Sequence, residues 1–308
     1  MLAASALSLG FSAPAEQFIN SKEAIASLNA DGATWVAGEN EFFAGKTYAD
    51  AKKLLGTQFP SEVELAALHA ESDLSHLDAV KDVPASFDAR DKWGTLIQPI
   101  RDQAHCGSCW AFSANEVLSD RFSIATNKNV VLSPEDSVEC DGGNMGCNGG
   151  MLPAAWRYLT NSGSVTDTCL PYTSGTGSVA TCPNACSDSE DWMTVKHKAT
   201  GGYALKTVED MQKDIMTNGP IQVAFNVFKS FMSYKSGVYK KKPLELFPEG
   251  GHAVKIIGWG TENGEDYWLV ANSWNTTWGM DGFFKIARGS NECGIEKRGP
   301  PYAGMPAV

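Results

Sequence analysis

Cys106 and Cys109 stand three residues apart in "QAHCGSCWAF" (103–112), directly before a tryptophan and an apolar pair. Two thiols at this spacing support three chemistries: a redox pair of the Cys-x-x-Cys kind at a helix start, half of a zinc site, or two separate jobs, one structural and one nucleophilic. The redox reading lacks the buried strand of a βαβ unit ahead of the motif, and six further cysteines offer Cys106 other partners. The zinc reading lacks a second close cysteine pair with histidine at ligand spacing. Separate jobs is the strongest of the three.

The elements that must carry these residues fall into a helical half and a β half. A helix is predicted for "GSCWAFSANEVLSDRFSIAT", with Trp110, Phe112, Val117, Leu118 and Phe122 inward and Asp120 and Arg121 outward. Residues 140–190 read as Gly- and Cys-rich loops held by disulfides in place of regular structure. Beyond residue 200, "PIQVAFNVF", "GGHAVKIIGWG", "DYWLVANSW" and "GFFKIARG" alternate or run apolar between Gly and Asn turns, as strands do. The expected class is α+β, two lobes with a groove between them.

The front of the chain is a module of its own. Residues 1–82 carry 5 Lys/Arg against 12 Asp/Glu, a net of −7, whereas 83–308 carry 20 against 24, a net of −4. All eight cysteines lie between 106 and 293, which suits a mature domain stapled in an oxidising compartment. "MLAASALSLGFSAPA" (1–15) is a short apolar, small-residue leader of the secretory kind. Ser21 is placed to cap a helix over 22–28, Thr47 and Asp50 to open another that stops at Gly56, and 60–82 reads as an exposed, cuttable connection. An overall charge of −11 repels phosphate backbones, so nucleic acid is not an expected partner, and no apolar run reaches membrane-spanning length.

"CGSCW" at 106–110 is the local signature of the papain and cathepsin cysteine proteases, which this sequence resembles. "GGHAVKIIGWG" around His252 and "NSWNTTWGMDG" around Asn272 are similar to the family's His and Asn blocks, 143 and 163 residues after Cys109. "PASFDAR", "SDR", "CNGG" and "NSWNTTWGMDGFFKIARG" are closer to its cathepsin B branch than to cathepsin L, and "TWVAGENEFF" with "LLGT" resembles that branch's short propeptide.

The resemblance implies a papain-like two-domain fold, with a helical left domain, a β-barrel-like right domain and the active-site cleft between. Residues 1–15 would be a signal peptide, 16–82 a propeptide and 83–308 the peptidase. The implied chemistry is a Cys109 thiolate paired with a His252 imidazolium, Asn272 orienting the ring, Trp274 roofing that bond and Gln103 donating to the oxyanion. Gly149, Gly150, Trp274, Trp278 and Arg298 are the expected substrate-binding residues. Arg298 stands where the branch has an acid that accepts basic side chains, Glu296 being the nearby carboxylate able to compensate in part.

By resemblance Cys106 pairs with Cys147, Cys140 with Cys182 and Cys169 with Cys186, leaving Cys293 free. No metal or organic cofactor is implied. The partners are peptide and protein substrates, the propeptide as intramolecular inhibitor and cystatin-like wedges, for a monomer in a lysosome-like vacuole or outside the cell. After "CLPY" (169–172) only "TSGTGSVAT" precedes Cys182, with no histidine and no long occluding loop, so endopeptidase action is expected. The carboxylates of the front module, with His69 and His76, predict a grip that weakens in acid and cleavage between about 76 and 84. His105 and Lys240–Lys242 read as exposed loop residues, and Asn275 heads a glycosylation sequon beside the cleft. Two rivals stand beside this reading, an inactive binding homologue and a thiol oxidoreductase.

Overall fold

The computed structural model describes residues 17–30, 32–187, 191–192 and 194–308, so the leader expected over 1–15 lies outside the described residues. Its helices are α1 (Lys22–Asn29), α2 (Tyr48–Lys52), α3 (Glu62–Glu71), α4 (Ala89–Trp93), α5 (Cys109–Thr126), α6 (Pro134–Cys140), α7 (Leu152–Asn161), α8 (Val208–Asn218) and α9 (Lys229–Met232). Its strands are β1 (Trp35–Ala37), β2 (Phe87–Asp88), β3 (Ala199–Ala204), β4 (Ile221–Val227), β5 (Tyr234–Tyr239), β6 (Gly250–Glu262), β7 (Glu265–Ala271), β8 (Phe283–Ala287) and β9 (Gly299–Pro306).

The alternation noted after residue 200 forms one sheet in the order β1-β5-β8-β7-β6-β4-β9-β3, with β2 added on β6. Its centre is the antiparallel β6–β7 hairpin, closed by Asn263-Gly264 with φ of 52° and 82°. Positive φ at both positions matches the turn twist to the strand twist, which is why Asn-Gly suits it. The path ends on β1 and β3 and does not close, so the β half is an open sheet and the expected barrel is corrected. One end strand, β1, comes from the front module and covers the β5 edge.

Two apolar cores flank the central helix α5. One lies on the sheet and includes Phe225, Phe231, Trp268, Trp278 and Phe284. The other joins Trp110, Leu118 and Phe122 of α5 to Leu152, Ala155, Trp156 and Leu159 of α7. Those last four residues have the i, i+3, i+4, i+7 spacing of an amphipathic helix, so the expectation of irregular loops throughout 140–190 is corrected.

Burial of α5 corrects a second expectation. Asp120 and Arg121 do not face solvent; both are buried. The helix packs against β6 and β9 on one side and α6 and α7 on the other, which leaves no wet face. The charges survive because each has a partner: Lys255 Nζ donates to Asp120 at 2.8 Å, and Arg121 donates to Asp214 at 2.5 Å and to the Tyr203 hydroxyl at 2.7 Å.

The front module is not a loose leader. Ile19, Trp35, Phe42, Phe43, Leu54 and Leu77 are buried within the sheet core. Residues 62–71 form α3, opened by a capping box in which Ser61 and Glu64 satisfy each other's backbone N–H groups. The exposed connection expected over 60–82 is therefore helical over its first half. Lys240–Lys242, read as a solvated loop, also hold this module: the Trp35 indole donates to Lys240 O at 2.9 Å and Lys242 Nζ to Leu28 O at 2.6 Å.

Candidate active site

Cys109 is the first residue of α5, where unpaired backbone N–H groups and the helix dipole favour an anion. His252 sits near the start of β6, and Asn272 directly follows β7. The hairpin brings these two together, with His252 Nε2 2.7 Å from Asn272 Oδ1. That contact leaves Nδ1 for the thiol. Burial pushes Cys109 up, but the charge and hydrogen bond of His252, the Thr57 hydroxyl and the Ala253 backbone outweigh it and bring the thiol down to about 7. The Trp274 ring stacks on His252 at 4.7 Å and covers the His–Asn pair.

Gln103 is fully buried beside this group. Its Oε1 accepts from Ser273 Oγ at 2.8 Å, which turns the amide NH₂ toward the cleft. Nε2 then donates to Cys106 O at 2.7 Å and to Leu54 O at 3.0 Å. One proton thus meets a carbonyl three residues along the same loop, and the other a carbonyl of the front module. Ser273 was not foreseen, although it stands in the quoted "NSW" block.

Cys106 is bonded to Cys147, Cys140 to Cys182 and Cys169 to Cys186, while Cys109 and Cys293 are free thiols. With Cys106 so tied, no neighbouring thiol can resolve an oxidised Cys109, and the redox-pair reading fails on geometry. Cys293 is buried, with burial and then Glu292 holding its thiol well above the usual range, so it is inert.

The front module fills the cleft. Thr57 Oγ1 lies 3.2 Å from Cys109 Sγ. Thr57 N donates to Gly251 O at 3.0 Å, Gly150 N to Gly56 O at 2.8 Å and Gln58 N to Gly150 O at 2.9 Å, and the bridges to Gly251 and Gly150 are both parallel. Gly149, with φ of 118°, and Gly150 therefore line the wall where an extended chain passes. Phe42 and Phe43 cover Trp274, with ring centroids 6.2 and 5.4 Å away. Trp278 lies a layer below, against Trp274, Phe231 and Phe284, and donates to Met232 O at 3.1 Å. It supports Trp274 from the core, and the front module's Asn40 donates to the same Met232 O at 3.3 Å.

Arg298 lines a cavity of about 840 Å³ with Phe59, Asn226 and Gly294, and its guanidinium lies 5.1 Å above the Phe59 ring. Glu296 faces away from it: buried, it accepts from the Trp268 indole at 2.9 Å and from the Gly289 and Asn291 N–H groups at 2.6 and 2.8 Å. The partial compensation expected of Glu296 is corrected, since the carboxylate is buried and held by three donors away from Arg298.

The loop before Cys182 is tied to the helical side. Glu135 accepts from Thr173 and Ser174, and His105 N donates to Gly175 O at 2.8 Å. Ala104 takes a left-handed φ of 50°, fixed by its N–H donating to Asp102 Oδ1 at 2.7 Å. Asn275 Nδ2, the atom a glycan would take, donates to Asp102 Oδ2 at 3.1 Å.

A sequence profile described as papain family cysteine protease matches residues 83–300. The chain is 41% identical over 313 residues to "Cathepsin B-like protease 1" of Arabidopsis thaliana, covering 89% of this chain and 80% of that protein. It is 42% identical to "Cathepsin B-like CP3" of Giardia intestinalis, covering 94% of each. Among solved structures, "proCathepsin B S9 from Trypanosoma congolense" superposes with a TM-score of 0.83 at 33% identity, over 94% of this chain and all of that one.

Proposed function

The chain belongs to the papain family of cysteine proteases as a cathepsin B-like member, and on that premise we propose that it is an endopeptidase made as an inactive proenzyme, with residues 16–82 as the prosegment. The observation that carries this reading is the Cys109, His252 and Asn272 constellation, with a segment of the same chain lying across it in place of a substrate.

The Cys109 thiolate attacks the acyl carbon, and the oxygen turns toward Gln103 Nε2 and the Cys109 N–H, the place now held by Leu54 O. His252 gives its proton to the leaving amine, then takes one from the water that releases the acyl group. Asn272 and Trp274 keep the ring in line and dry. The prosegment is spared because it runs from the His252 and Trp274 side toward Gly150, opposite to a chain whose leaving amine must sit over His252. Phe59 beneath Arg298 supports a pocket for an apolar or acidic side chain before the scissile bond, an arginine there meeting like charge.

The short, tied loop between Cys169 and Cys182 carries no histidine to hold a substrate's terminal carboxylate. The activated enzyme should therefore cut an amine-blocked peptide of about ten residues internally. Product masses from a time course check this, and stepwise loss of C-terminal dipeptides as the main reaction would sink it.

Prosegment docking depends on a glycine. A Cβ on residue 56 would lie 1.8 Å from Gly107 O, and neither backbone has room to yield. Gly56→Ala should weaken docking by about 1–3 kcal/mol, hence about five- to 150-fold in the inhibition constant of the prosegment added in trans. Unchanged inhibition would count against the segment's role.

Acid should release the segment. His69 is held below its usual range by burial and then by Lys206, so the docked form binds fewer protons than the free one, and release is favoured as pH falls through about 6.5. Asp50, held at about 2 by the Thr47 backbone and then by Lys53 and the Thr47 hydroxyl, stabilises its cap above about 3.8 and loses that stabilisation below. His76 Nε2 faces Asp214 Oδ1 at 3.5 Å, a contact that ties the end of the prosegment to the mature domain. Maturation should run faster at pH 4–5 than at pH 7, and His69→Gln should flatten the upper part of that profile. Processing rates followed by gel across the range would check it, equal rates throughout being the refuting result.

A further inference from the structure

Glu249 lies three residues before His252, where its N–H donates to Val227 O at 2.7 Å and pins the chain beside the end of β4. Its carboxylate is only 9% exposed, and its ion-pair partner among the described residues is Lys52 of the prosegment, Nζ to Oε2 at 2.6 Å. Lys52 belongs to the part of the segment on the His252 and Trp274 side of the thiol. Two residues on, Leu54 O meets the oxyanion donor, and Leu55 covers Gly250, its Cβ 2.8 Å from where a Cβ on that glycine would be. When the segment leaves, this carboxylate, three residues before the catalytic histidine and next to the Gly250 that Leu55 had covered, loses its cation.

The side of the cleft follows from the chemistry. His252 must deliver a proton to the leaving amine, so residues after the scissile bond lie over His252 and Trp274, the ground held in the proenzyme by Phe42, Phe43 and Lys52. From this we infer that Glu249 is a specificity residue of the mature enzyme, accepting a lysine or arginine at the first or second position after the scissile bond, and that Lys52 occupies that site in the proenzyme. The inference rests on the endopeptidase reading above and adds a substrate class to it.

The test uses the matured enzyme and internally quenched peptides that share one acyl half and carry Lys, Leu or Glu at each of the two positions after the bond. At one of them kcat/KM should favour Lys over Leu by about tenfold, the effect of roughly one charge-assisted hydrogen bond, and over Glu by more. Glu249→Gln should bring the Lys-to-Glu ratio close to one, and Glu249→Lys should invert it. Ratios cancel any general loss of activity in a variant. If neither variant folds, the wild-type ratio must still shrink with added salt, as a charge contact does. A coumarin amide of the same acyl half, with no residue beyond the bond, separates the two readings. No hydrolysis of it would remove the protease reading. Its hydrolysis together with equal rates for Lys, Leu and Glu would overturn the inference alone, Lys229, 5.2 Å above the prosegment's Tyr48 ring, then having taken the carboxylate.

Discussion

With Cys109 replaced by serine, kcat/KM on peptide substrates should fall by about 10⁵-fold while the protein keeps its far-UV spectrum and melting transition. The size follows from what the site does to a thiol. Burial alone would keep Cys109 protonated, and only His252, Thr57 and the backbone of Ala253 bring it down to about 7, where the helix terminus supports the anion. A serine hydroxyl starts several units higher and cannot be carried to its anion by the same partners. The oxyanion donors remain, so hydrolysis above the uncatalysed rate should persist. The prosegment should still dock, since Thr57 meets a hydroxyl as readily as a sulfur. Retention of more than about a hundredth of wild-type activity would point to another nucleophile and sink the assignment. Cys293 does not offer itself, being buried and held protonated.

The second large effect is on stability. Asp214→Ala should cost about 3–5 kcal/mol, because it leaves the buried Arg121 guanidinium without its counter-charge. Burial alone would push Asp214 up, yet Arg121, His76 and Asn218 hold its carboxyl below the usual range, which marks an ionised, fully paired group. Arg121 keeps only neutral partners after the substitution, the Tyr203 hydroxyl and the carbonyls of Gly219 and Pro220. Denaturant unfolding of the full chain measures the loss. The double variant Arg121→Met, Asp214→Leu should recover most of it, since neither charge of this pair is then buried. A single variant within about 1 kcal/mol of wild type would mean that water reaches Arg121 and that the site is not dry.

What was readable in the sequence was read from local physics. Strand alternation after residue 200 and the Asn-Gly turn are short-range signals, and β4, β6, β7 and β8 lie where they predict. The cap at Thr47 with Asp50 is a four-residue motif that works wherever it is placed. The same signature at Ser61 and Glu64 is followed by few large apolar residues, so the sequence signal for α3 is weak. The helix α7 was masked by the glycines and cysteines around it, although its own spacing is regular.

Other features have no local signal. Asp120 and Arg121 are ordinary surface residues by type, and they are buried only because α5 has structure on every side, with Lys255 and Asp214 arriving from 135 and 93 residues away. Whether the sheet closes depends on which strand takes the β5 edge, and that strand comes from the front module, about 200 residues upstream. Glu249 and Lys52 are unremarkable apart, and 197 residues separate them. The sequence by itself determined the family, through the motifs that hold Cys109, His252 and Asn272, and the order of the elements that carry them, because each motif is a short-range pattern. Tertiary structure alone decided the pairing of buried charges, the placing of His76 against Asp214 and the match of the front module to the cleft, because these depend on distances between groups far apart along the chain.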